Sequence, residues 1–468
     1  MSLIKSISGI RGTIGGKAGE NLTPLDVVNF VSAFATLLKK DDRPLTLVVG
    51  RDARVSGEII NKMVCGTLQS LGVNVIDVGL STTPTVEMAV IQQHADGGII
   101  LTASHNPMHW NALKLLNAQG EFISAEEGKR VLEIIEKQDF EYAEVDHLGT
   151  YTLYENAIED HIEAILKLDL VNVNAIKKAG FSVALDCVNS TGGIALPMLL
   201  KKLGVKKTRV LNGEPTGVFA HNPEPLPAHL HEIAHLMQKG DFHVGFVVDP
   251  DVDRLAIITE DGEMFGEEYT LVAVADYVLQ HKTGNTVSNL SSTRALKDLS
   301  KKYNVEYNAS AVGEVNVVEK MKATEAVIGG EGNGGVIFPE LHYGRDALVG
   351  IALFLTYMAE SGESCSSIRQ KFPSYIISKN KIELRQGMNV PKIMETIANK
   401  YTGYEVNTID GVKVDFDNGW VHLRPSNTEP IIRIYAEGKT ENYADNIATK
   451  IISDIREILQ TESISPKD

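Results

Sequence analysis

A unit of strand, polar loop, helix and strand recurs three times in this chain, and it limits the possible fold more than any other feature. Leu45 to Val49 (LTLVV) is a run of buried-strand type, followed by the polar turn Gly50-Arg51-Asp52, a helical stretch to about Leu71 and a second strand, Val73 to Val78. Val183 to Leu185 opens the second copy, with Asp186, Asn189, Ser190 and Thr191 in its loop, a helix to Leu203 and a strand near Val210. Thr286 to Leu290 opens the third, with Ser291, Ser292, Thr293 and Arg294 before the helix and Val305 to Asn308 closing it. Short apolar runs alternating with amphipathic stretches call for α/β layers. The copies start more than 100 residues apart, too far for a solenoid, whose period is nearer ~20–50 residues. They mark related domains or, equally on this repetition alone, the units that any α/β protein contains. Beyond them the character changes: Val412 to Phe416, Trp420 to Leu423 and Ile431 to Glu437 read as antiparallel strands, Tyr443 to Leu459 as a closing helix, and Thr461 to Asp468 as a frayed tail. The expected fold is three related α/β domains with mixed sheets and a smaller α+β C-terminal domain.

At 468 residues, 43% hydrophobic and 23% charged, the chain has room for three to four domains and little for extended disorder. Its 61 acidic against 45 basic side chains give a net charge of -16, which repels phosphate backbones and argues against nucleic acid as a partner. Any anion site must therefore concentrate positive charge in a few loops. Cys65, Cys187 and Cys365 have no CxxC spacing, which excludes a disulfide framework and a structural zinc site and fits a reducing, cytoplasmic setting. No stretch approaches the ~20 apolar residues of a membrane span, and no membrane partner is expected.

Four segments carry chemistry. In Gly97 to Asn117, the apolar strand Ile99 to Leu101 ends in Thr102, Ser104, His105 and Asn106, with Pro107 stiffening the turn and Lys114 following. Adjacent residues of an extended segment point to opposite faces, so direct pairing of Ser104 with His105 is geometrically poor, and there is no G-x-S-x-G elbow. In Val244 to Ile258, the carboxylates Asp249, Asp251 and Asp253 alternate at the end of a buried strand. Their charges repel unless a cation sits among them, and hard oxygen ligands without His or Cys select Mg²⁺ over Zn²⁺. Arg254 stands where an EF-hand needs Gly, and strands flank the loop. Arg254 adds a cation suited to phosphate. In Gly329 to Pro339, Glu331 and Asn333 lie among glycines, suited to sugar hydroxyls, though the pattern is neither a P-loop nor a Rossmann turn and, from this loop alone, a hairpin turn accounts for it better. In Arg424 to Pro430, a tight loop between strands, a guanidinium joins Ser426, Asn427 and Thr428 in a donor set suited to phosphate.

In this order, TASHNP, DPDVDR, GEGNGG and RPSNTEP resemble the four loops of the α-D-phosphohexomutase superfamily, from about Ile4 to Glu437. GIRG with Arg11, GRDAR-SG with Arg51 and Arg54, and the AVGEVNVVEKM run from Ala311 support the likeness. The resemblance implies four domains around a central cleft, placed here at 1–148 (phosphoserine loop), 149–256 (metal), 257–372 (sugar recognition) and 373–468 (phosphate binding). It implies a phosphorylated Ser104, Mg²⁺ held by Ser104, Asp249, Asp251 and Asp253, and a sugar 1,6-bisphosphate as intermediate and activator. Arg11, His105 and Lys114 would surround the transferring group, with His105 or Lys114 as general acid/base. Arg254, Arg424, Ser426, Asn427 and Thr428 would bind phosphate, and Glu331 and Asn333 the sugar. The substrate would be a small phosphosugar (glucosamine, glucose or mannose phosphate) and the protein a monomer or homodimer. Three positions depart from the pattern: Gly9 in place of Asp, Ala112 in place of Gly, and Asn333 with Gly335 in place of the Ser and His of a GExSGH loop. A haloacid-dehalogenase-like sugar phosphatase with Asp249 as nucleophile is the rival enzyme, and a non-catalytic sugar-phosphate sensor the rival binding protein. Neither accounts for all four loops.

Overall fold

The computed structural model describes residues 2–6, 9–40, 43–384, 388–426 and 430–464. It divides into two compact units, 1–282 with 327–369, and 283–326 with 370–468.

The first unit opens on a seven-stranded mixed sheet in the order Ile4–Ser6, Gly9–Thr13, Trp110–Leu116, Gly97–Leu101, Thr46–Arg51, Asn74–Leu80, Tyr151–Leu153. Gly97–Leu101, Thr46–Arg51, Asn74–Leu80 and Tyr151–Leu153 run parallel. In the first two, Leu47, Val48, Val49, Ile99, Ile100 and Leu101 are buried on both faces, as parallel strands require, whereas the edge strand Tyr151–Leu153 is exposed. Helix Pro24–Leu38 starts cleanly because the Asp26 carboxylate accepts from both the N–H and the hydroxyl of Thr23. It lays Val27, Phe30, Val31 and Phe34 on the sheet, each such burial contributing about 1.5–3 kcal/mol. A second, four-stranded sheet runs Leu255–Ile258, Val244–Val248, Ser182–Asp186, Lys207–Leu211. The hairpin Ile328–Glu331/Gly335–Ile337 also belongs to the first unit. So does helix Ala347–Ser361, which is buried all along Ala347 to Met358 and packs on helix Glu267–His281, with Tyr357 stacked on Tyr277.

The second unit holds the parallel pair Thr286–Asn289 and Tyr307–Ser310. It also holds an antiparallel five-stranded sheet in the order Ile376–Glu383, Ile431–Gly438, Gly419–Pro425, Val412–Phe416, Glu405–Asn407. Helices Val390–Lys400 and Glu441–Ile464 close its core.

All three recurring units have the expected form, with first and second strands parallel in each. Three local expectations are corrected. Gly50 and Arg51 continue the first strand through a bulge instead of forming a turn, because Arg51 still pairs with Leu101 across the sheet. Arg424 lies within the strand Gly419–Pro425 instead of in the loop. The closing helix runs on to Ile464, so the tail is helical through that residue.

Candidate active site

The site is assembled on the ends of two strands. Gly97–Leu101 delivers the loop of Ser104, and Val244–Val248 delivers Asp249. Arg54, 1% exposed, organises the first loop from beneath. Its guanidinium donates to the carbonyls of Ser104 (2.5 Å), Asn106 (2.7 Å), Pro107 (2.7 Å) and Trp110 (2.9 Å), while Nε donates to Asp52 Oδ2 at 3.0 Å. Thr102 Oγ1 donates to the same Asp52 oxygen at 2.6 Å and accepts the Ser104 N–H at 2.9 Å. Burial nevertheless pushes the Asp52 carboxyl above its ordinary range, against the pull of Arg54. The loop is thus held by backbone carbonyls, whatever side chains it carries.

Ser104 sits at φ 47°, in the left-handed region. That conformation overturns the expectation for its neighbour. The segment is not extended, so Ser104 Oγ and His105 Nδ1 fall on one side, 3.4 Å apart, a long contact by hydrogen-bond standards. The shorter bond is from Ser104 Oγ to Asp249 Oδ2, 2.7 Å.

Asp249, Asp251 and Asp253 are each 0% exposed, and one oxygen from each lies within 4.8 Å of the others. Val252, at φ 63°, turns the chain between them. The Pro250 carbonyl is gripped by Ser190 Oγ (2.7 Å) and Thr191 Oγ1 (2.9 Å). Thr83 Oγ1 donates to Asp251 Oδ2 at 2.7 Å, and Lys114 Nζ does so at 2.8 Å. Asp251 Oδ1 and Asp253 Oδ1 are buried with no hydrogen-bond partner among the described residues. Two orphaned carboxylate oxygens beside a third carboxylate are a donor set that a hard divalent cation fits. Burial, then the charges of Asp253 and Asp251, raise Asp249 well above the ordinary carboxyl range. Burial works the same way on Asp251, but Lys114 and Thr83 outweigh it and hold that carboxyl low. Burial followed by the Arg254 charge lowers His105 to about 3.

A cleft of about 190 Å³ in front of these groups is lined by Arg11, Ser104, His105, Lys114, Arg254 and Arg345. Arg11 and Lys114 reach it from adjacent antiparallel strands, Gly9–Thr13 and Trp110–Leu116. Gly9, one departure from the family pattern, has φ 131°, and a Cβ there would stand 2.0 Å from the Leu113 carbonyl oxygen. Only glycine fits this pairing. A larger cleft of about 500 Å³, with Ala35, Thr36 and residues of the 141–148 segment in its walls, is lined by no described residue of the four loops.

Sequence reasoning missed Arg345. Its Nη1 donates to Glu331 Oε2 at 2.8 Å and its Nη2 to Asp253 Oδ2 at 2.6 Å. Glu331 itself is 4% exposed, and Asn333 Oδ1 accepts the Gly335 N–H at 3.2 Å inside the hairpin. A second buried cluster was also missed. Asp346 Oδ2 lies 3.0 Å from His161 Nε2 and 3.3 Å from His342 Nε2, and His342 Nδ1 lies 3.3 Å from Glu87 Oε2. Nothing local in the sequence announces either, because each partner is 14 to 255 residues away, apart from His342 and Asp346.

In the second unit, Arg424 Nε donates to Asp410, 2.9 Å from Oδ2 and 3.0 Å from Oδ1, and the Ser426 N–H donates to the Ile431 carbonyl at 2.9 Å. Asn427 and Thr428 lie outside the described residues.

Four family models described as phosphoglucomutase/phosphomannomutase match the chain: alpha/beta/alpha domain I at 3–142, domain II at 159–262, domain III at 266–375 and the C-terminal domain at 379–453. A phosphoglucomutase/phosphomannomutase of Thermococcus kodakarensis is 38% identical over 92% of this chain and 95% of its own. A phosphoglucosamine/phosphogalactosamine mutase of Sulfurisphaera tokodaii is 32% identical over 96% and 98%. A phosphoglucomutase/phosphomannomutase family protein of Burkholderia thailandensis has a similar structure, with a TM-score of 0.83 at 25% identity over 99% and 98% of the two chains. The fold and the clustered loops define a member of the phosphohexomutase class, and the chain belongs to the phosphoglucomutase/phosphomannomutase family. It is an isomerase that interconverts hexose 6-phosphate and hexose 1-phosphate.

Proposed function

We propose that this isomerisation runs through a phosphoryl group carried on Ser104 Oγ. The observation that carries the reading is the 2.7 Å bond from that oxygen to Asp249, with the two orphaned oxygens of Asp251 and Asp253 beside it. Asp249, Asp251 and Asp253 would hold Mg²⁺, which when bound neutralises charge on the phosphoryl oxygens. The hydroxyl at C1 or C6 of the sugar attacks the phosphorus, the bond from phosphorus to Ser104 Oγ breaks, and a sugar 1,6-bisphosphate results. Its other phosphoryl group then returns to Ser104, so atoms balance over the cycle. His105 or Lys114 takes the proton of the attacking hydroxyl and returns it to the departing oxygen. Arg11 and Arg254, both lining the cleft, neutralise the phosphate oxygens. Arg424 and Ser426, with Asn427 and Thr428, are assigned to the phosphate that is not transferred. Glucose, mannose and glucosamine phosphates remain the substrate candidates, and four domains divide near 148, 256 and 372.

The test follows ³²P from hexose phosphate in the presence of bisphosphate. A mutase of this kind labels Ser104, and Ser104→Ala abolishes both label and isomerisation. Label on Asp249 would instead establish the phosphatase chemistry, and undiminished turnover in Ser104→Ala would sink the phosphoserine. Mg²⁺ is checked separately: it should stabilise the folded protein by RT ln(1 + [Mg²⁺]/Kd), about 2.7 kcal/mol at 100 Kd, and so raise the melting temperature. Asp253→Asn should lose that shift.

A further inference from the structure

Arg345 is 8% exposed and lines the same cleft as Ser104 and Lys114. Its guanidinium is divided between two loops, 2.8 Å from Glu331 of the sugar hairpin and 2.6 Å from Asp253 of the metal loop. Its backbone is equally constrained. The Asp346 N–H donates to Val336 O of the hairpin at 2.8 Å, and the Ala347 N–H to Val252 O of the metal loop at 3.2 Å. The Asp346 carboxylate caps helix Ala347–Ser361 by accepting from Leu348 N and Val349 N. Its other oxygen meets His161 and His342. Few arginines are placed so firmly.

Gly335 explains how the side chain fits. A Cβ at 335 would stand 2.3 Å from Arg345 Cδ and 3.0 Å from Cγ. A side chain on the hairpin at 335 and the arginine at 345 therefore exclude each other. Gly335, a departure from the GExSGH pattern, thus leaves the volume that the Arg345 side chain fills.

We propose that Arg345 is a specificity residue of the mutase: by holding Glu331 and Asp253 together it fixes the sugar's hydroxyls relative to the transferring phosphoryl group, and Gly335 is the vacancy that admits it. The inference rests on reading Glu331 as a sugar contact. Each carboxylate receives one N–H of a rigid planar guanidinium, which fixes the direction from Glu331 to Asp253 as a point-like ammonium does not. Epimeric hexoses differ only in hydroxyl direction, so discrimination between them depends on that fixed direction.

The experiment measures kcat/KM for glucose 1-phosphate and mannose 1-phosphate on the full chain with Mg²⁺ and bisphosphate, for wild type, Arg345→Met, Arg345→Lys and Gly335→Ala. Arg345→Met should lose about 100-fold on the better epimer, the size expected for a small misplacement of reacting groups. The ratio between epimers should move toward unity by at least about fivefold. Arg345→Lys should recover rate but not the ratio. Gly335→Ala, which keeps the charge and displaces the side chain, should also shift the ratio, and it covers the case in which Arg345→Met fails to fold. Equal losses on both epimers, with the ratio unmoved in every folded variant, would overturn the proposal and leave Arg345 a structural ion pair. If wild type turns over neither these nor glucosamine phosphate, the fault lies in the mutase reading itself.

Discussion

Arg54→Met removes the guanidinium that braces the Ser104 loop while keeping an apolar stem in its place. Four carbonyls, those of Ser104, Asn106, Pro107 and Trp110, lose their donor, and the Asp52 carboxyl, 1% exposed, loses its ion-pair partner. Breaking a buried pair from one side costs about 3–5 kcal/mol, chiefly through the stranded charge. At about 2–4 °C per kcal/mol for a domain of this size, the melting temperature of the region matched by domain I should fall by about 6–20 °C. Calorimetry reads this directly, with separate transitions fitted where they resolve. Adding Asp52→Asn to Arg54→Met removes the stranded charge and should restore at least about 1 kcal/mol, a coupling that independent sites would not show. Thr102 can still donate to the amide oxygen. Activity should stay low in both variants, by about 100-fold in kcat/KM, because the carbonyl anchors are gone in each. A fall of less than about 2 °C, or a double variant no more stable than Arg54→Met, would refute the account of Asp52 and Arg54 as a one-sided brace.

Thr83→Val deletes the 2.7 Å bond to Asp251 in a nearly isosteric way and should weaken Mg²⁺ binding about 10–100-fold by calorimetric titration, as loss of an outer-shell bond does. Arg424→Met should raise KM for hexose phosphate about 10–100-fold with a smaller change in kcat, the worth of one or two charge-assisted bonds; an unchanged KM would remove Arg424 from the binding set. His342 gives a pH prediction. Burial opposes its charge, but hydrogen bonds to Asp346 and Glu87 outweigh burial and raise it from 6.5 to about 10. The folded state therefore holds a proton that the unfolded chain has lost, so this stability is complete below pH 6.5 and lost as pH rises toward about 10. The slope is at most about 1.4 kcal/mol per pH unit for one proton, and His342→Gln should flatten it in urea melts at pH 7 to 10.

The parts legible in the sequence are those whose chemistry is local. Three aspartates at every second position, delivered by VGFVV, announce a cation site because their mutual repulsion is written in five consecutive residues. The polar cluster after Ile99 to Leu101 is legible for a similar reason, since a strand end and a proline define its setting. Arg345 was not legible, because an arginine after a glycine carries no sign that Glu331 and Asp253 lie on either side of it. Arg54 entered only through the GRDAR-SG likeness, and nothing local shows that the fold turns its guanidinium toward four carbonyls. The error over Ser104 and His105 came from assuming extended backbone, and a single left-handed φ reversed which faces the two side chains share. Spacing rules hold only while the backbone keeps the dihedral they assume.

Helix Ala347–Ser361 belongs to the first unit although the chain leaves that unit at 282 and re-enters at 327. During synthesis this order has a cost in time. Helix Glu267–His281 emerges with a nearly all-buried surface, Tyr269 to Leu279, yet the helix that covers it is complete only at residue 361. At about 5–20 residues per second the interval of 80 residues lasts roughly 4–16 s. Through that interval the face of helix Glu267–His281 that packs on Ala347–Ser361 stays uncovered, while the strands Thr286–Asn289 and Tyr307–Ser310 are already available to pair. A chain stopped anywhere between 282 and 361 therefore carries this apolar face without the complete helix that covers it.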